Sequence, residues 1–293
     1  MVRAARAVRA IGMTSLPVSL ARIEHGQTKQ RLTIRAHGYN KKKNALTPLK
    51  EPGVNQTANH DKVLVIIPTY NEAANIQELL DAIWRQVREV HVLVVDDNSR
   101  DGTQEIVRSH PNYGHGRLFL LARPGKLGLG TAYIAGFTWA LTRGYEIVIE
   151  MDADMSHDPA MLPRMIAGMA SHAVVVGSRY VPGGGTVNWS PLRKLISRVG
   201  GLYARIILGV PVNDLTGGFN AWSRDVLQSI RFDTVRSQGY SFQIELKYRA
   251  FKAGYQILEI PIVFVDRRAG QSKMSGRIVF EAIFRVWQML LGR

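Results

Sequence analysis

Four stretches of the chain share one order of hydrophobic and polar positions. "KVLVIIPTYNE" is a continuous apolar, mostly β-branched run closed by Pro68, and "AANIQELLDAIWRQV" after it carries apolar residues at helical spacing. The first predicts a fully buried strand and the second an amphipathic helix. The pattern repeats with a strand from His91 to Val95, Asp96 and Asp97 at its carboxyl end, a turn at Asp101–Gly102 and a helix from near Thr103. The helix "GLGTAYIAGFTWALTRG" then leads into the strand "YEIVIEMDAD", and the helix "PAMLPRMIAGMA" into "AVVVGSRY". Continuous apolar strands alternating with helices predict an α/β fold, an open and mostly parallel sheet covered by helices on both faces. Ligands of such sheets bind outside the carboxyl ends of the strands. Tyr70, Glu72, Asp96, Asp97, Asp152, Asp154 and Arg179 all fall just past strand ends, so the pattern predicts that they converge on one rim.

The stretch "EMDADMSHD" puts four carboxylates after an apolar run. A solvated acidic turn is the ordinary reading of a charge run, but convergence on the rim favours a cation site. Carboxylates repel phosphate, whereas a divalent cation held on Asp154 could bridge to a diphosphate, and oxygen ligands suit magnesium or manganese. Within the stretch, Glu150 is expected to lie back in the strand and Asp158 to begin the next helix. His157 reads as a helix-start residue in preference to a ligand. The glycines of "GKLGLGTA" lack both the P-loop ending and the dinucleotide spacing, which leaves a tight turn and a helix start. Trp139 and Trp222 read as core.

Composition changes this picture in three ways. Of 293 residues 46% are apolar, enough for a folded domain, and cysteine is absent, so any metal sits on oxygen or imidazole. The net charge of +15 invites a nucleic-acid reading, but Met1 to Lys50 hold 11 Lys/Arg against the single acid Glu24, which accounts for 11 − 1 = +10 of it. Residues 1–60 therefore read as a disordered basic arm and linker, with some likeness to an organellar transit peptide, and residues 61–275 as the folded body. No stretch reaches the roughly 18 unbroken apolar residues of a spanning helix. Residues 276–293, "GRIVFEAIFRVWQMLLGR", place Ile278, Ile283, Val286, Trp287 and Leu290 at helical spacing among Arg277, Arg285 and Arg293. Such an amphipathic helix either packs on its own domain or lies in a membrane interface.

The blocks "IIPTYNE", "VVDDNSRDGT", "RPGKLGLGTAYIAG", "MDADMSH", "GSRYVPGG", "RKLISR", "DLTGGFNAW", "GYSFQIEL" and "DRRAGQSKM" together resemble, in that order, the family 2 glycosyltransferases that make dolichol- or polyprenol-phosphate mannose. The likeness covers Lys62 to about Met274; residues before Asp61 have no counterpart in the family core. It implies a single-domain, Rossmann-like GT-A fold, GDP-mannose as donor, a polyprenyl monophosphate as acceptor, inversion at the sugar carbon, and Mg2+ or Mn2+. By matching position, Pro68, Tyr70, Glu72, Val95 and Asp97 would line the nucleoside pocket. Asp152, Ala153 and Asp154 would face the diphosphate and sugar, with Asp154 the chief metal ligand. Ser156 stands where some members have Gln; a hydroxyl is the weaker ligand, and water can take its place. Arg179, Arg193, Ser197, Arg267 and Lys273 would neutralise the donor diphosphate or the acceptor phosphate. Asp214, Gln243 and Glu245 would support the site from behind it. The resemblance further implies a peripheral enzyme on the cytoplasmic face of a membrane, with an integral-membrane partner protein in some members and no nucleic acid. The same fold using a UDP-sugar to make polyprenyl phosphate glucose is one alternative; a non-catalytic basic adaptor of nucleic acid or membrane is the other.

Overall fold

The computed structural model describes residues 62–266 and 284–291. The basic arm, the boundary expected at residues 60–61, Arg267, Lys273 and the first part of the C-terminal helix lie outside the described residues. The chain runs β1 (Val63–Thr69), α1 (Ile76–Gln86), β2 (His91–Asp96), α2 (Thr103–Ser109), a single helical turn α3 (Pro111–Gly114), β3 (Leu118–Ala122), α4 (Leu129–Thr142) and β4 (Ile147–Glu150). It continues through α5 (Leu162–Gly168), β5 (Val174–Ser178), β6 (Gly185–Val187), α6 (Pro191–Leu208), β7 (Asn220–Ser223), α7 (Arg224–Ser229), α8 (Gly239–Lys252), β8 (Ile257–Pro261) and β9 (Val263–Val265). Residues 284–290 form a last helix, α9.

Seven strands make one sheet in the order β3-β2-β1-β4-β7-β5-β8, and β6 pairs with β9 beside it. All neighbours in the large sheet are parallel except β7, which lies antiparallel between β4 and β5. The chain builds outward from β1 through β2 to β3, then returns to the other side of β1 with β4. That reversal opens a crevice at the carboxyl ends of β1 and β4, where open α/β sheets take ligands.

Strand side chains alternate between the two faces, and each face has its own helices. Val63, Val65, Ile67, Val92, Val94 and Ile149 pack with Ile76, Leu79, Leu80 and Ile83 of α1 and Leu162, Met165 and Ile166 of α5. Leu64, Ile66, Leu93, Val95, Val148 and Trp222 pack with Tyr133 and Phe137 of α4 and Phe242 and Leu246 of α8. The approach of α4 to β1 is close: a Cβ on Gly136 would stand 2.8 Å from Ile66 Cδ1. A third cluster joins Ala204 and Leu208 of α6, Ile244 and Tyr248 of α8, and Val286 of α9. The described part of the C-terminal helix, residues 284–290, packs on this cluster through Val286. Trp222 is core as expected; Trp139 is only partly buried and packs against the edge of the second cluster.

Candidate active site

A cleft of about 490 Å³ opens at the crevice between β1 and β4. The loop after β1 contributes Pro68, Thr69, Tyr70 and Glu72, the end of β2 contributes Asp97, and the loop after β4 contributes Asp152, Ala153 and Asp154. Lys126, Gly128 and Leu129 from the approach to α4, Thr216 and Gly218 before β7, and Gln238, Tyr240 and Gln243 around the start of α8 complete the lining. A second cavity, about 370 Å³, lined by His172, Pro211 and Tyr255 among others, shares no residue with it and carries no carboxylate.

The first two loops are tied to each other before they meet any ligand. Asp96, fully buried, accepts from Thr69 Oγ1 (2.7 Å), from Ser99 Oγ (2.6 Å) and from the Ser99 amide (2.9 Å). It is a fastener between β1 and β2 and does not line the cleft. Asn71 and Asn98 turn the two loops with left-handed φ of 59° and 60°, a conformation asparagine tolerates better than most residues. Asn71 then accepts from the Arg100 amide and donates its own amide to Ser99 Oγ. Asp97 lines the cleft while engaging Arg123 Nε (2.6 Å) and the amides of Leu127 (3.0 Å) and Gly128 (3.3 Å). Its carboxylate therefore fixes the glycine-rich loop. Gly128, at φ 100°, starts α4, so these glycines form the tight turn and helix start that their spacing suggests. At the mouth of the cleft the Lys126 ammonium lies 4.0 Å from the centre of the Tyr70 ring.

The "DADMSH" loop is held from below. His157 Nδ1 accepts the Asp152 amide at 3.0 Å, which puts any proton of the neutral ring on Nε2, 3.8 Å from Asp152 Oδ2. The ring stacks on Phe219 with centroids 4.8 Å apart. Burial pulls its pKa below the ordinary 6.5 despite the nearby Asp152 and Asp154 charges, so His157 is a neutral buttress. Tyr133 Oη reaches Asp152 Oδ1 at 3.4 Å, and burial, then the charges of Asp152 and Glu150, push that phenol well above its usual range. Asp158 caps the helical turn that follows by accepting the Ala160 amide, as its position before Pro159 implies. Glu150 lies back in β4, as expected, and is fully buried. There it accepts from Asn220 Nδ2 (2.7 Å), Trp222 Nε1 (3.1 Å) and Gln243 Nε2 (3.2 Å). Burial pushes its carboxyl up and pulls the buried Lys247 ammonium down. The three donors to this carboxyl oppose the upward push of burial without cancelling it.

Among the described residues no group of three or more His, Asp or Glu side chains is arranged to hold a metal. What the loop offers is smaller and all oxygen. Met155 takes a left-handed φ of 61°, and the turn brings the Ser156 amide to Asp154 Oδ1 at 3.1 Å. Ser156 Oγ is buried and has no hydrogen-bond partner in the structure, an orphaned hydroxyl in the same turn as Asp154, although Ser156 is not among the residues lining the cleft. Magnesium and manganese commonly take one or two carboxylates and complete their shell with water and substrate phosphate. Asp154, with the unpartnered Ser156 Oγ in the same turn, fits such an ion.

Arg179 and Arg193, expected at the phosphates, do not line the cleft, whereas Lys126 does. Arg179 is buried and doubly bonded to Asp214, Nε to Oδ2 and Nη2 to Oδ1, both at 2.7 Å. Its Nη2 also donates to Thr216 Oγ1 (2.8 Å), and Asp214 Oδ1 accepts the Gly217 amide (2.9 Å). Burial would raise the Asp214 pKa, but Arg179 outweighs it and holds the carboxyl below 3.8. This buried pair shapes the turn whose Thr216 and Gly218 face the cleft. Arg193 pairs with Asp266 (2.6 Å) and covers the Trp189 ring, while Ser197 accepts from the Tyr180 hydroxyl (2.6 Å). Val95 is wholly buried in β2 and is not among the residues lining the cleft. Gln243 lines the cleft, whereas Glu245 pairs with Arg249 on α8.

Residues 64–231, more than half of the chain, match the model of Glycosyl transferase family 2. The chain belongs to that family. This family 2 glycosyltransferase is 47% identical over 225 residues to an undecaprenyl-phosphate mannosyltransferase of Micrococcus luteus, a match covering 77% of the chain and 92% of the relative. It is 44% identical over 230 residues to a polyprenol monophosphomannose synthase of Mycolicibacterium smegmatis, covering 77% and 85%. Among solved structures, glucosyl-3-phosphoglycerate synthase of Mycobacterium tuberculosis, crystallised with Mn2+, UDP and phosphoglyceric acid, superposes with a TM-score of 0.59 at 20% identity over 78% of each chain. The same enzyme with phosphoglyceric acid gives 0.61 at 20% identity, over 82% of this chain and 86% of that one. At that identity the likeness is one of fold, and the fold is GT-A-like.

Proposed function

We propose that this glycosyltransferase moves mannose from GDP-mannose to a polyprenyl monophosphate, with inversion, to give polyprenyl phosphate mannose. The observation that carries the reading is the 47% identity, over 225 residues, with a protein named for mannosyl transfer to undecaprenyl phosphate. The cleft is compatible with it. In this reading Pro68, Tyr70, Glu72 and Asp97 receive the nucleoside, and Val95 backs them. Asp152 orients the sugar. Asp154, with Ser156, holds Mg2+ or Mn2+, which when bound offsets the charge developing on the departing diphosphate. Arg179 supports the wall formed by Thr216 and Gly218. Arg193 and Ser197, with Arg267 and Lys273 outside the described residues, would serve the acceptor phosphate.

A phosphate monoester is ionised near neutral pH. It can attack the anomeric carbon without a strong general base: a phosphate oxygen bonds to that carbon as its bond to the diphosphate oxygen breaks and GDP departs. The demand on the protein is alignment and electrostatic stabilisation of the leaving group. Asp152 is accordingly assigned to positioning. The product stays lipid-linked, so the enzyme would work at a membrane surface, by this reading the cytoplasmic one.

Purified protein incubated with polyprenyl phosphate and labelled GDP-mannose or UDP-glucose, with and without chelator, tests the reading. Lipid-linked mannose that disappears with chelator is expected. Product from UDP-glucose alone would replace mannose by glucose, and product from neither donor would sink both versions.

A further inference from the structure

Gln243 lines the cleft and yet is only 3% exposed, because its side chain also enters a buried polar cluster around the end of β4. Its Nε2 donates to Glu150 Oε1 at 3.2 Å, and its Oε1 accepts from Asn220 Nδ2 at 2.8 Å. Asn220 and Trp222 occupy the other Glu150 oxygen. One turn further along α8, Lys247 donates to the carbonyls of Leu215 and Gly217 (3.2 and 2.6 Å), which ties the turn before β7 to the same helix. Of these five residues, Glu150, Asn220, Trp222, Gln243 and Lys247, Gln243 alone lines the cleft.

The Gln243 amide cannot turn over without losing both of its bonds, so it presents a fixed pattern. An amide nitrogen carries two N–H groups. Glu150 takes one, and among the described residues the other has no acceptor. Gly218, on the cleft wall, has no side chain to cover it: a Cβ there would stand 3.7 Å from Gln243 Nε2. Buried donors are rarely left unpaired, and one left so at a cleft is a contact for what the cleft binds. The sheet order says which part of a ligand that is. β1, with Pro68 and Tyr70 at its end, lies on one side of β4, and β7, with Asn220, lies on the other. Gln243 therefore meets the cleft across β4 from the nucleoside side, near Asp152, which follows Glu150 by two residues. A sugar hydroxyl both donates and accepts; a carboxylate answers only the first need, and an amide N–H answers the second. We infer that Gln243, held by Glu150 and Asn220, donates its second N–H to a hydroxyl of the transferred hexose and with Asp152 fixes the orientation of the sugar. The inference rests on the proposed function in taking the donor to be a nucleotide sugar.

Gln243→Met keeps the length of the side chain and removes the N–H. Calorimetric titration with GDP, GDP-mannose, UDP and UDP-glucose, with magnesium and without acceptor lipid, gives the affinity for each sugar nucleotide relative to its own nucleoside diphosphate. For the donor that the parent binds, that ratio should fall about tenfold in Gln243→Met, while the nucleoside diphosphate binds as before. Glu150→Gln keeps the volume but no longer fixes which way the Gln243 amide faces. It should lower the same ratio severalfold, and it decides the matter if Gln243→Met binds no nucleotide. An unchanged ratio in either variant would overturn the inference. So would an equal loss of nucleoside diphosphate affinity, which would make Gln243 a support of the whole cleft. A parent that binds UDP-glucose and not GDP-mannose changes the sugar of the proposed function, and the same fall within the UDP pair then supports Gln243. A parent that binds neither sugar nucleotide contradicts the proposed function and the inference with it.

Discussion

Asp154 and Ser156 share one turn but stand differently in it. Asp154 supplies the charge a cation needs, and Ser156 an uncharged oxygen with no other bond to make. Asp154→Ala should therefore remove several kcal/mol of leaving-group stabilisation, at least about a hundredfold in kcat, with an unchanged melting temperature. Activity within a fewfold of the parent would take Asp154 out of metal binding. His157 acts one step further back, through the Asp152 amide. His157→Phe keeps the stacking surface against Phe219 but strands that N–H, a loss of about 1–3 kcal/mol. Steady-state kinetics should register it in kcat more than in the KM for donor, and His157→Gln, which restores an acceptor, should recover part of the loss. No local pattern marks His157 as a buttress in the sequence. Its partner is a backbone amide five residues earlier, and the bond exists only because Phe219, far along the chain, supports the ring.

Among the elements, the buried Arg179–Asp214 pair joins the end of β5 to the turn before β7. Removing one member of such a pair typically costs about 3–5 kcal/mol, because the other is left charged and buried. Asp214→Asn should lose stability of that order at neutral pH in urea denaturation. The pair also has a pH signature. The folded protein holds the Asp214 pKa below the ordinary 3.8, so its contribution is fully present above that value and is lost as pH falls through the lower, folded one. Below about pH 4 the parent should lose stability more steeply than the Asn variant; parallel acid limbs would mean that the pair does not carry this dependence.

The same elements account for what was legible in advance. β1, β2, β4 and β5 are buried on both faces, so they appear as continuous apolar runs and their carboxyl ends could be aligned. β7 is four residues, Asn220–Ser223, whose neighbours on both sides satisfy it, and nothing in "GGFNAW" alternates. α8 is covered by the sheet on one side and by α6 and α9 on the other, so Gln243, Glu245 and Lys247 are buried and no polar face contrasts with an apolar one. The rim of carboxylates was correctly placed, but position past a strand end did not separate Asp96, which fastens two loops, from Asp97, which lines the cleft. It also could not reveal that Arg179 faces Asp214.

For the whole molecule, the distribution of charge matters more than its sum. Of the net +15, the segment Met1–Lys50 holds +10, while the body lines its cleft with Glu72, Asp97, Asp152 and Asp154 and carries no acid along α6. This is the layout expected of an enzyme that meets a nucleotide sugar in a polar cleft and its acceptor at a lipid surface. The most direct measurement of that claim is a competition. Protein, polyprenyl phosphate and equal amounts of isotopically heavy GDP-mannose and ordinary UDP-glucose are incubated together, and the extracted lipid is read by mass spectrometry and by NMR of the anomeric centre. The account predicts one product, polyprenyl phosphate carrying the heavy hexose with its configuration inverted from that of the donor. A light hexose on the lipid, or a retained configuration, would contradict it.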